Sequence, residues 1–492
     1  MSKLTFAKNV AAAMKGAELV LFLAPKKLWN AGWLEKTASG PWVKHAAAVA
    51  ADLGGGTNGA AETLLTGGAP KKIIVGVLPD AVSRHNGPAR SEAIGALAAR
   101  AGLSGARKAA VVLGLEEPDH FLAAANAVGR ALPIFTRKGG KKENSGDVAI
   151  AAVNAKGADV AASGFVEDVV SGARWCAKMV DTHPAELTTA DFASEAKKLC
   201  RGLKHVTTKE IVGPKLLELG LNGIHAVGRA AMVAPRLLIL DFKPARAAKT
   251  FGLIGKGIIY DTGGLALKPA ANMCTMKGDM GGGAAVVAAF RALVQNGFKH
   301  RLICAVPLAE NAIGPNSYRN DDILTMHSKK TVEINNTDAE GRILLADALS
   351  YVCRTYEPDA VMNAATLTGA QLVTSGWRHA SIVSNRAGLE ELCVRAGRSS
   401  GDLAHALLFM PELLMTEFES RFADMCNSVK DRSNAQSSCA AMFVHAHIED
   451  TKTPWLHIDL AGPAWRDGRG SGYGVALMAT ILDQITPTDL AD

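Results

Sequence analysis

Short apolar runs alternate with alanine-rich amphipathic stretches along most of the chain, the pattern of strands and helices taken in turn. In the first part, Leu19-Val20-Leu21-Phe22-Leu23 and the runs at 73–77 and 109–113 are predicted strands, and 91–101 and 121–131 are predicted helices. Residues 139–146 form a turn-rich, charged tip between two strands. Residues 166–180 read as one continuous amphipathic helix, stopped near Asp181-Thr182-His183-Pro184 by the proline. Beyond it, 249–260, 301–307 and 360–366 are strand-like, while 284–295 and 343–356 are helix-like. Strands alternating with helices of this length predict a sheet that is largely parallel and covered on both faces. The fold class expected is therefore α/β in two domains. A smaller N-terminal α/β domain spans 1–165, a connecting helix 166–183, and a larger C-terminal domain 184–492 with a mixed, mostly parallel sheet flanked by helices. Ligands of such sheets sit beyond the carboxyl ends of the strands.

A chain of 492 residues is too long for one ordinary core, which supports the two-domain reading. No run of about 18 apolar residues is present, so no membrane span is expected. The apolar patch at Leu19–Leu23 lacks a cleavage-type ending and is not read as a signal peptide. The last residues carry no peroxisomal or retention address. Eight cysteines are widely spaced with no Cys-x-x-Cys pair, which argues against a disulfide framework or zinc knuckle and for a reducing, cytoplasmic setting. The charge is uneven: residues 1–150 hold 19 Lys and Arg against 11 Asp and Glu, whereas the rest of the chain is nearly balanced. Such a basic part could meet nucleic acid, although solvated surface lysines are the commoner explanation.

Candidate chemistry gathers where the later strands end. Asn336-Thr337-Asp338-Ala339-Glu340-Gly341-Arg342 puts two carboxylates and a guanidinium at a strand-to-helix turn in an apolar context, where unpaired charge is costly. Two further clusters, Gly255-Lys256-Gly257 through Asp261 to Lys268, and Met276-Lys277-Gly278-Asp279, add carboxylates and lysines. Asp261, Asp279, Asp338 and Glu340 converging alone would repel one another, and some would take up protons. Two divalent ions about 3.5–4 Å apart would resolve the repulsion and supply a Lewis acid and a water of lowered pKa. A lysine beside such ions is expected to lose its proton and become a ligand, while a second lysine and an arginine can stabilise developing negative charge or hold an anion.

Other motifs fall short. The glycines at 252, 255 and 257 have the wrong spacing for a dinucleotide turn and are followed by a strand. Gly281-Gly282-Gly283 lacks the Lys-Ser/Thr of a phosphate loop and is read as close backbone packing. Asp347 is read as a structural partner, not a ligand. Neither His-Glu-x-x-His nor Gly-x-Ser-x-Gly occurs.

The Asn336–Arg342 turn with Leu344, Ala346, Asp347 and Ala348 resembles the signature of the leucine aminopeptidase family, hexameric two-metal cytosolic aminopeptidases. The 255–269 stretch, Asp279-Met280-Gly281-Gly282, Ala364-Ala365-Thr366-Leu367-Thr368-Gly369-Ala370, Ala423-Asp424-Met425 with Asn427, and His457-Ile458-Asp459-Leu460-Ala461-Gly462 resemble it too. The likeness covers the last 310 or so residues and is vague over the first 160. It implies a tightly held metal on Lys256, Asp261, Asp279 and Glu340, and a more exchangeable one on Asp261, Asp338 and Glu340. It further implies a bridging-hydroxide mechanism in which Lys268 stabilises the oxyanion and Arg342 holds a bicarbonate that relays the proton. Asn336, Thr366, Leu367 and Gly369 would orient substrate, and Met276, Thr366, Gly369, Ala461 and Ala464 would line a pocket suited to leucine or methionine. The metals could be zinc, manganese, cobalt or magnesium. Every metal and catalytic position of the family pattern is intact.

The function so implied is release of N-terminal apolar residues from short peptides by a metal-dependent homohexamer in the cytoplasm. Two alternatives stand beside it: a DNA-binding or scaffold protein that keeps the peptidase fold, as some relatives bind DNA, and a dipeptidase-type cysteinylglycinase.

Overall fold

The computed structural model describes residues 2–56, 59–139 and 146–491, so most of the turn expected at 139–146 lies outside the described residues. The chain forms two compact units, Met1–Arg174 with Arg395–Leu403, and Trp175–Val394 with Ala404–Asp492. The division falls inside the helix Gly164–Asp181, and the short segment Arg395–Leu403 groups with the first unit although it sits far along the chain.

In the first unit, strands Leu4–Phe6, Asp147–Asn154, Lys108–Leu115, Leu19–Pro25 and Lys72–Leu78 lie side by side and parallel. Ala60–Leu65 closes one edge antiparallel, and Asp159–Val160 pairs antiparallel with Asp147–Asn154. The side chains alternate between faces, as strand geometry requires. Leu21, Leu23, Val111 and Leu113 meet helices Ser91–Arg100 and Phe121–Arg130 on one side. Val20, Phe22, Val75 and Val112 meet Trp29, Trp33 and Ala46 on the other. Much of this unit's basic excess is spent locally: Lys26 caps the carbonyls of Ala50, Ala51 and Leu53, Lys27 and Arg90 share Glu116, and Arg107 pairs with Glu18.

The second unit is built on a mixed sheet. Its strands follow the order Ala404–Ala406, Ala380–Ser384, Trp455–Asp459, Ala360–Ala365, Thr250–Gly255, Arg301–Asn311, Arg236–Phe242 and Val206–Val212. The central strands from Trp455–Asp459 to Arg301–Asn311 are parallel, whereas Arg236–Phe242 and Val206–Val212 join antiparallel. The strand expected at 249–260 is two, Thr250–Gly255 and Gly257–Asp261, separated by Lys256. Gly257–Asp261 swings over to pair with the far end of Arg301–Asn311. Helix Glu340–Tyr356 packs with Gln436–Ala446 over Ile254, Ile303, Ala305 and Ala365. Helix Gly281–Gln295 packs on the same strands and on Val475–Gln484. It comes close because Gly282 has no Cβ: one placed there would sit 2.1 Å from the Ala364 carbonyl oxygen. Gly283 is similarly tight, 3.0 Å from the Lys256 carbonyl oxygen, so these two show the backbone packing expected, whereas Gly281 has only ordinary contacts.

Six of the eight cysteines are buried; Cys274 is exposed and Cys426 half-buried. No described helix is long and apolar enough to cross a membrane. Asp347 is fully buried and accepts from the backbone N–H groups of Gly223, Ile224 and His327 at 2.7, 3.1 and 2.9 Å, the structural part expected of it.

Candidate active site

The charged residues converge at the carboxyl ends of the central parallel strands. Lys256 occupies the break after Thr250–Gly255, Asp261 ends the next strand, Asp279 stands two residues before helix Gly281–Gln295, and Thr366 follows Ala360–Ala365. The Asn336–Arg342 turn sits differently from expectation in one respect: the helix begins at Glu340, not at Ile343, so Glu340, Gly341 and Arg342 form its first turn. The negative charge of Glu340 therefore lies at the positive end of a helix dipole.

Within the cluster, carboxylate oxygens of Asp261, Asp338 and Glu340 lie within 4.8 Å of one another. Two ammonium groups reach in. Lys256 Nζ stands 2.8 Å from Asp279 Oδ2 and 2.9 Å from Glu340 Oε1, and donates to the Thr366 carbonyl at 3.1 Å. Lys268 Nζ stands 2.8 Å from Asp261 Oδ2 and 2.5 Å from Asp338 Oδ1. Four carboxylates against two ammoniums leave the centre short of positive charge. Burial and the neighbouring Asp261 carboxylate accordingly push Glu340 and Asp338 above the usual carboxylate range, and burial pushes Asp279 up as well. At Lys256 burial opposes the charge, and the neighbouring carboxylates of Asp279, Glu340 and Asp261 outweigh burial and favour the ammonium.

The residues fit a divalent metal centre. Glu340 Oε2 is buried without a hydrogen-bond partner, an acceptor that a cation would satisfy. The donors are hard oxygens with one lysine nitrogen, suited to zinc, manganese or magnesium.

Hydrogen-bonding neighbours, several of them unmarked in the sequence, fix this geometry. Asn311 Nδ2 donates to Asp261 Oδ1 at 2.8 Å and to the Thr337 carbonyl at 3.1 Å, and the buried Tyr318 hydroxyl donates to that same carbonyl at 2.6 Å. Thr337 Oγ1 donates to the Gly263 carbonyl and accepts from Ala266 N–H, tying the Lys268 loop to the turn. Asn427 clamps the turn itself: its Oδ1 accepts from Asn335 and Asn336 N–H, and its Nδ2 donates to the Asn336 and Ala339 carbonyls. Thr366 Oγ1 donates to Asp279 Oδ1 at 2.8 Å. Asp459 accepts from the N–H groups of Leu367 and Ala461 and from the Thr368 hydroxyl, setting the loop beyond the strand. Of these, Thr337 and Thr366 lie in motifs read from the sequence, Thr366 as an expected substrate-orienting residue, and Asn427 and Asp459 lie in the resemblance at Ala423–Asn427 and His457–Gly462. Asn311 and Tyr318 act across sequence separations that no local pattern marks.

The cluster opens into a cavity of about 510 Å³. Lys256, Asp261, Lys268, Met276, Asp279, Asn336, Asp338, Glu340, Arg342, Thr366, Leu367, Gly369 and Ala461 all line it. Ala464, expected there, does not. It is buried behind the wall, and the next residue, Trp465, takes its place, with its ring packed so tightly on Gly278 that a Cβ there would lie 2.2 Å from Cζ2. Arg342 is buried, donates from Nη1 to the Asn427 carbonyl at 3.1 Å, and stacks over Phe418. Burial lowers its guanidinium to about 10.

The class so defined is a mostly parallel α/β protein with four carboxylates and two lysines at the strand ends of its sheet, beside a cavity of small-ligand size. Comparison with known proteins gives the class its family. Residues 174–479 match the cytosol aminopeptidase family, catalytic domain, and 62–141 match M17 aminopeptidase N-terminal domain 2. The chain is 41% identical over 423 residues to a human protein described as probable aminopeptidase NPEPL1, covering 85% of this chain and 80% of that one. Its fold matches the structure of Caenorhabditis elegans leucine aminopeptidase (LAP1) with a TM-score of 0.89 at 31% identity over the whole of both chains. It also matches the bottromycin maturation enzyme BotP in complex with Mn, with a TM-score of 0.77 at 25% identity over 95% of this chain and 99% of that one. The chain belongs to the cytosol (leucine) aminopeptidase family, and it is a peptidase.

Proposed function

We propose that this chain is a metal-dependent aminopeptidase that removes apolar N-terminal residues, leucine and methionine foremost, from short peptides. The observation that carries the reading is the convergence of Asp261, Asp279, Asp338 and Glu340 with Lys256 and Lys268 in the wall of one cavity. Lys256, Asp261, Asp279 and Glu340 would hold one divalent cation, and Asp261, Asp338 and Glu340 a second. When bound, the pair supplies Lewis acidity toward the scissile carbonyl and lowers the pKa of a water.

The chain's own groups do the rest. Lys268 is only partly enclosed and already aims its ammonium between Asp261 and Asp338, so it is placed to offer a proton or charge to an oxygen developing negative charge there. Arg342, buried with Nε unpartnered, offers a donor to an anion such as bicarbonate that would accept the proton of the attacking water. Asn336, Thr366, Leu367 and Gly369 line the cavity beside these groups and would orient the peptide backbone. Met276 and Ala461, with Trp465 in place of Ala464, give the apolar surface for the first side chain. Zinc or manganese as native metal, and a cytoplasmic homohexamer, are the family's implications for this chain; sedimentation and metal analysis of the purified protein test them.

The decisive variant is Asp338→Ala. Leucinamide hydrolysis should fall by at least about a hundredfold, in line with loss of a positioned group at the reacting centre. Activity equal to wild type would reject the reading.

A further inference from the structure

The cavity lining carries a further cation, on the side of Arg342, to which the proposed reaction gives no work. Ser428, Arg432 and Gln436 come from the loop leading into helix Gln436–Ala446, and all three line the cavity. Arg432 is exposed, and its guanidinium lies near enough to Arg342 to repel it. Among the described residues no carboxylate or carbonyl pairs with it.

This is not for want of carboxylates nearby. Asp431 Oδ1 accepts from Ser433 N–H at 2.8 Å and from its hydroxyl at 2.6 Å. Glu417 accepts from Asn434 Nδ2 at 2.7 Å and from Asp431 N–H at 2.9 Å, and Glu419 pairs with Lys430 at 2.6 Å. Each local acid is engaged elsewhere, and the same bonds brace the loop. Arg432 is thus presented to the cavity on a fixed support with its charge unspent.

A short peptide is a dipole of matching sense. Its N-terminal ammonium suits the carboxylates of the cavity, and its C-terminal carboxylate, about 3.3–3.6 Å further on per residue, suits a cation elsewhere in the same lining. The volume, about 510 Å³, lies in the range of pockets that enclose small ligands. We propose that Arg432 reads the free C-terminal carboxylate of di- and tripeptides, making this aminopeptidase selective for very short peptides over blocked or long ones. The proposal rests on the aminopeptidase reading above. In it Arg432 is a specificity residue, binding the substrate's far end and taking no part in bond cleavage.

The test compares kcat/KM for Leu-Gly with Leu-Gly-amide, and Leu-Gly-Gly with its amide, in metal-loaded wild type and in Arg432→Gln. A charge-assisted hydrogen bond gained by the free acid gives wild type a preference of about tenfold, expressed mainly in KM. In Arg432→Gln the ratio should fall to about one, and Arg432→Lys should restore part of it. Inhibition by the Leu-Gly analogue with its peptide bond reduced to CH2–NH, free acid against amide, gives the same comparison without cleavage. A third arm, Leu-Asp-amide against Leu-Asn-amide, asks whether a side-chain carboxylate is read instead. A wild-type ratio near one for both lengths, a ratio that Arg432→Gln leaves unchanged, or a preference appearing only in the third arm overturns the proposal. If wild type hydrolyses none of these substrates, the aminopeptidase reading falls and this proposal with it; hydrolysis without the ratio sinks the proposal alone.

Discussion

Gly341 offers a way to disturb the centre without touching a charged group. It lies in the first turn of helix Glu340–Tyr356 with ordinary helical backbone, so alanine is conformationally welcome and would stabilise the helix by about 1 kcal/mol. Its absent Cβ is what admits Lys256. A Cβ at this position would sit 2.6 Å from both Cε and Nζ of Lys256 and 2.8 Å from Cδ. Lys256 is only 3% exposed and is pinned by Asp279, Glu340 and the Thr366 carbonyl, so it cannot step aside into solvent. Relieving the contact needs a shift of about 1 Å, which stretches each ion pair out of hydrogen-bond range. With an effective dielectric constant of about 20, moving two such pairs outward by that amount costs about 1.5 kcal/mol each, or about 3 kcal/mol together. Set against the helix gain, Gly341→Ala should lose about 2 kcal/mol of stability. Its larger effect should be on activity, since a misplacement of about 1 Å at a reacting centre costs about a hundredfold. The assay is kcat/KM for leucinamide after metal loading, with a denaturant melt alongside. A folded Gly341→Ala protein with kcat/KM within about threefold of wild type would refute the claim that Lys256 must occupy that position.

Three further predictions follow from buried groups. His445, His447 and His457 are enclosed, and burial holds them at about 4, 3 and 3. Asn363 Nδ2 donates to His457 Nδ1 at 2.7 Å while Asn363 Oδ1 is taken by Trp455 Nε1, so that imidazole must stay neutral. A folded pKa below the unfolded value of about 6.5 makes their stability contribution complete above that pH and lost as the pH falls through the window toward the folded values. At about pH 5.5 each contributes a loss of about 1.4 kcal/mol. The carboxyls that burial raises, Glu340, Asp347 and Asp279 among them, act with the opposite sign in the same window, so the check is made ring by ring: NMR of the three imidazoles should show them neutral at about pH 5.5, and a charged ring at any of them would contradict its neutral burial. Asp347→Ala strips three backbone N–H groups of their buried acceptor and should cost about 3–5 kcal/mol in a urea melt, whereas a loss under about 1 kcal/mol would show that water replaces it. Asn427→Ala removes the clamp on the Asn336–Ala339 backbone and should lower kcat/KM for leucinamide by about tenfold or more, with KM and kcat both affected; unchanged kinetics would show that the turn holds itself.

The alternation of apolar runs was enough to find the strands at Lys72–Leu78 and Lys108–Leu115 and the helices at Ser91–Arg100 and Phe121–Arg130, because those elements are buried along their length. It overran at Lys256, where the chain stays apolar on both sides while the strand breaks to turn one lysine into the centre. It placed the helix start after Arg342, because Glu340 and Arg342 are polar residues that look like turn yet form helix once their charges find partners. The carboxylates and lysines were legible because charged residues in apolar surroundings require a reason. Asn311, Tyr318, Thr337 and Asn427 were not marked by any such conflict; a buried hydrogen bond shows itself only when both partners are located. That Trp465, not Ala464, lines the cavity follows from its place in a two-residue strand paired with Arg469–Gly470, which spacing does not determine.

The direct test is leucinamide hydrolysis by the purified wild-type chain through a cycle of chelation and metal return. If Asp261, Asp279, Asp338, Glu340 and Lys256 hold a pair of cations, dialysis against chelator should remove at least about 99% of the rate. Titration with zinc or manganese should restore it, with a break at about two ions per chain. A rate that survives chelation, or that no divalent ion restores, would contradict a metal-dependent aminopeptidase.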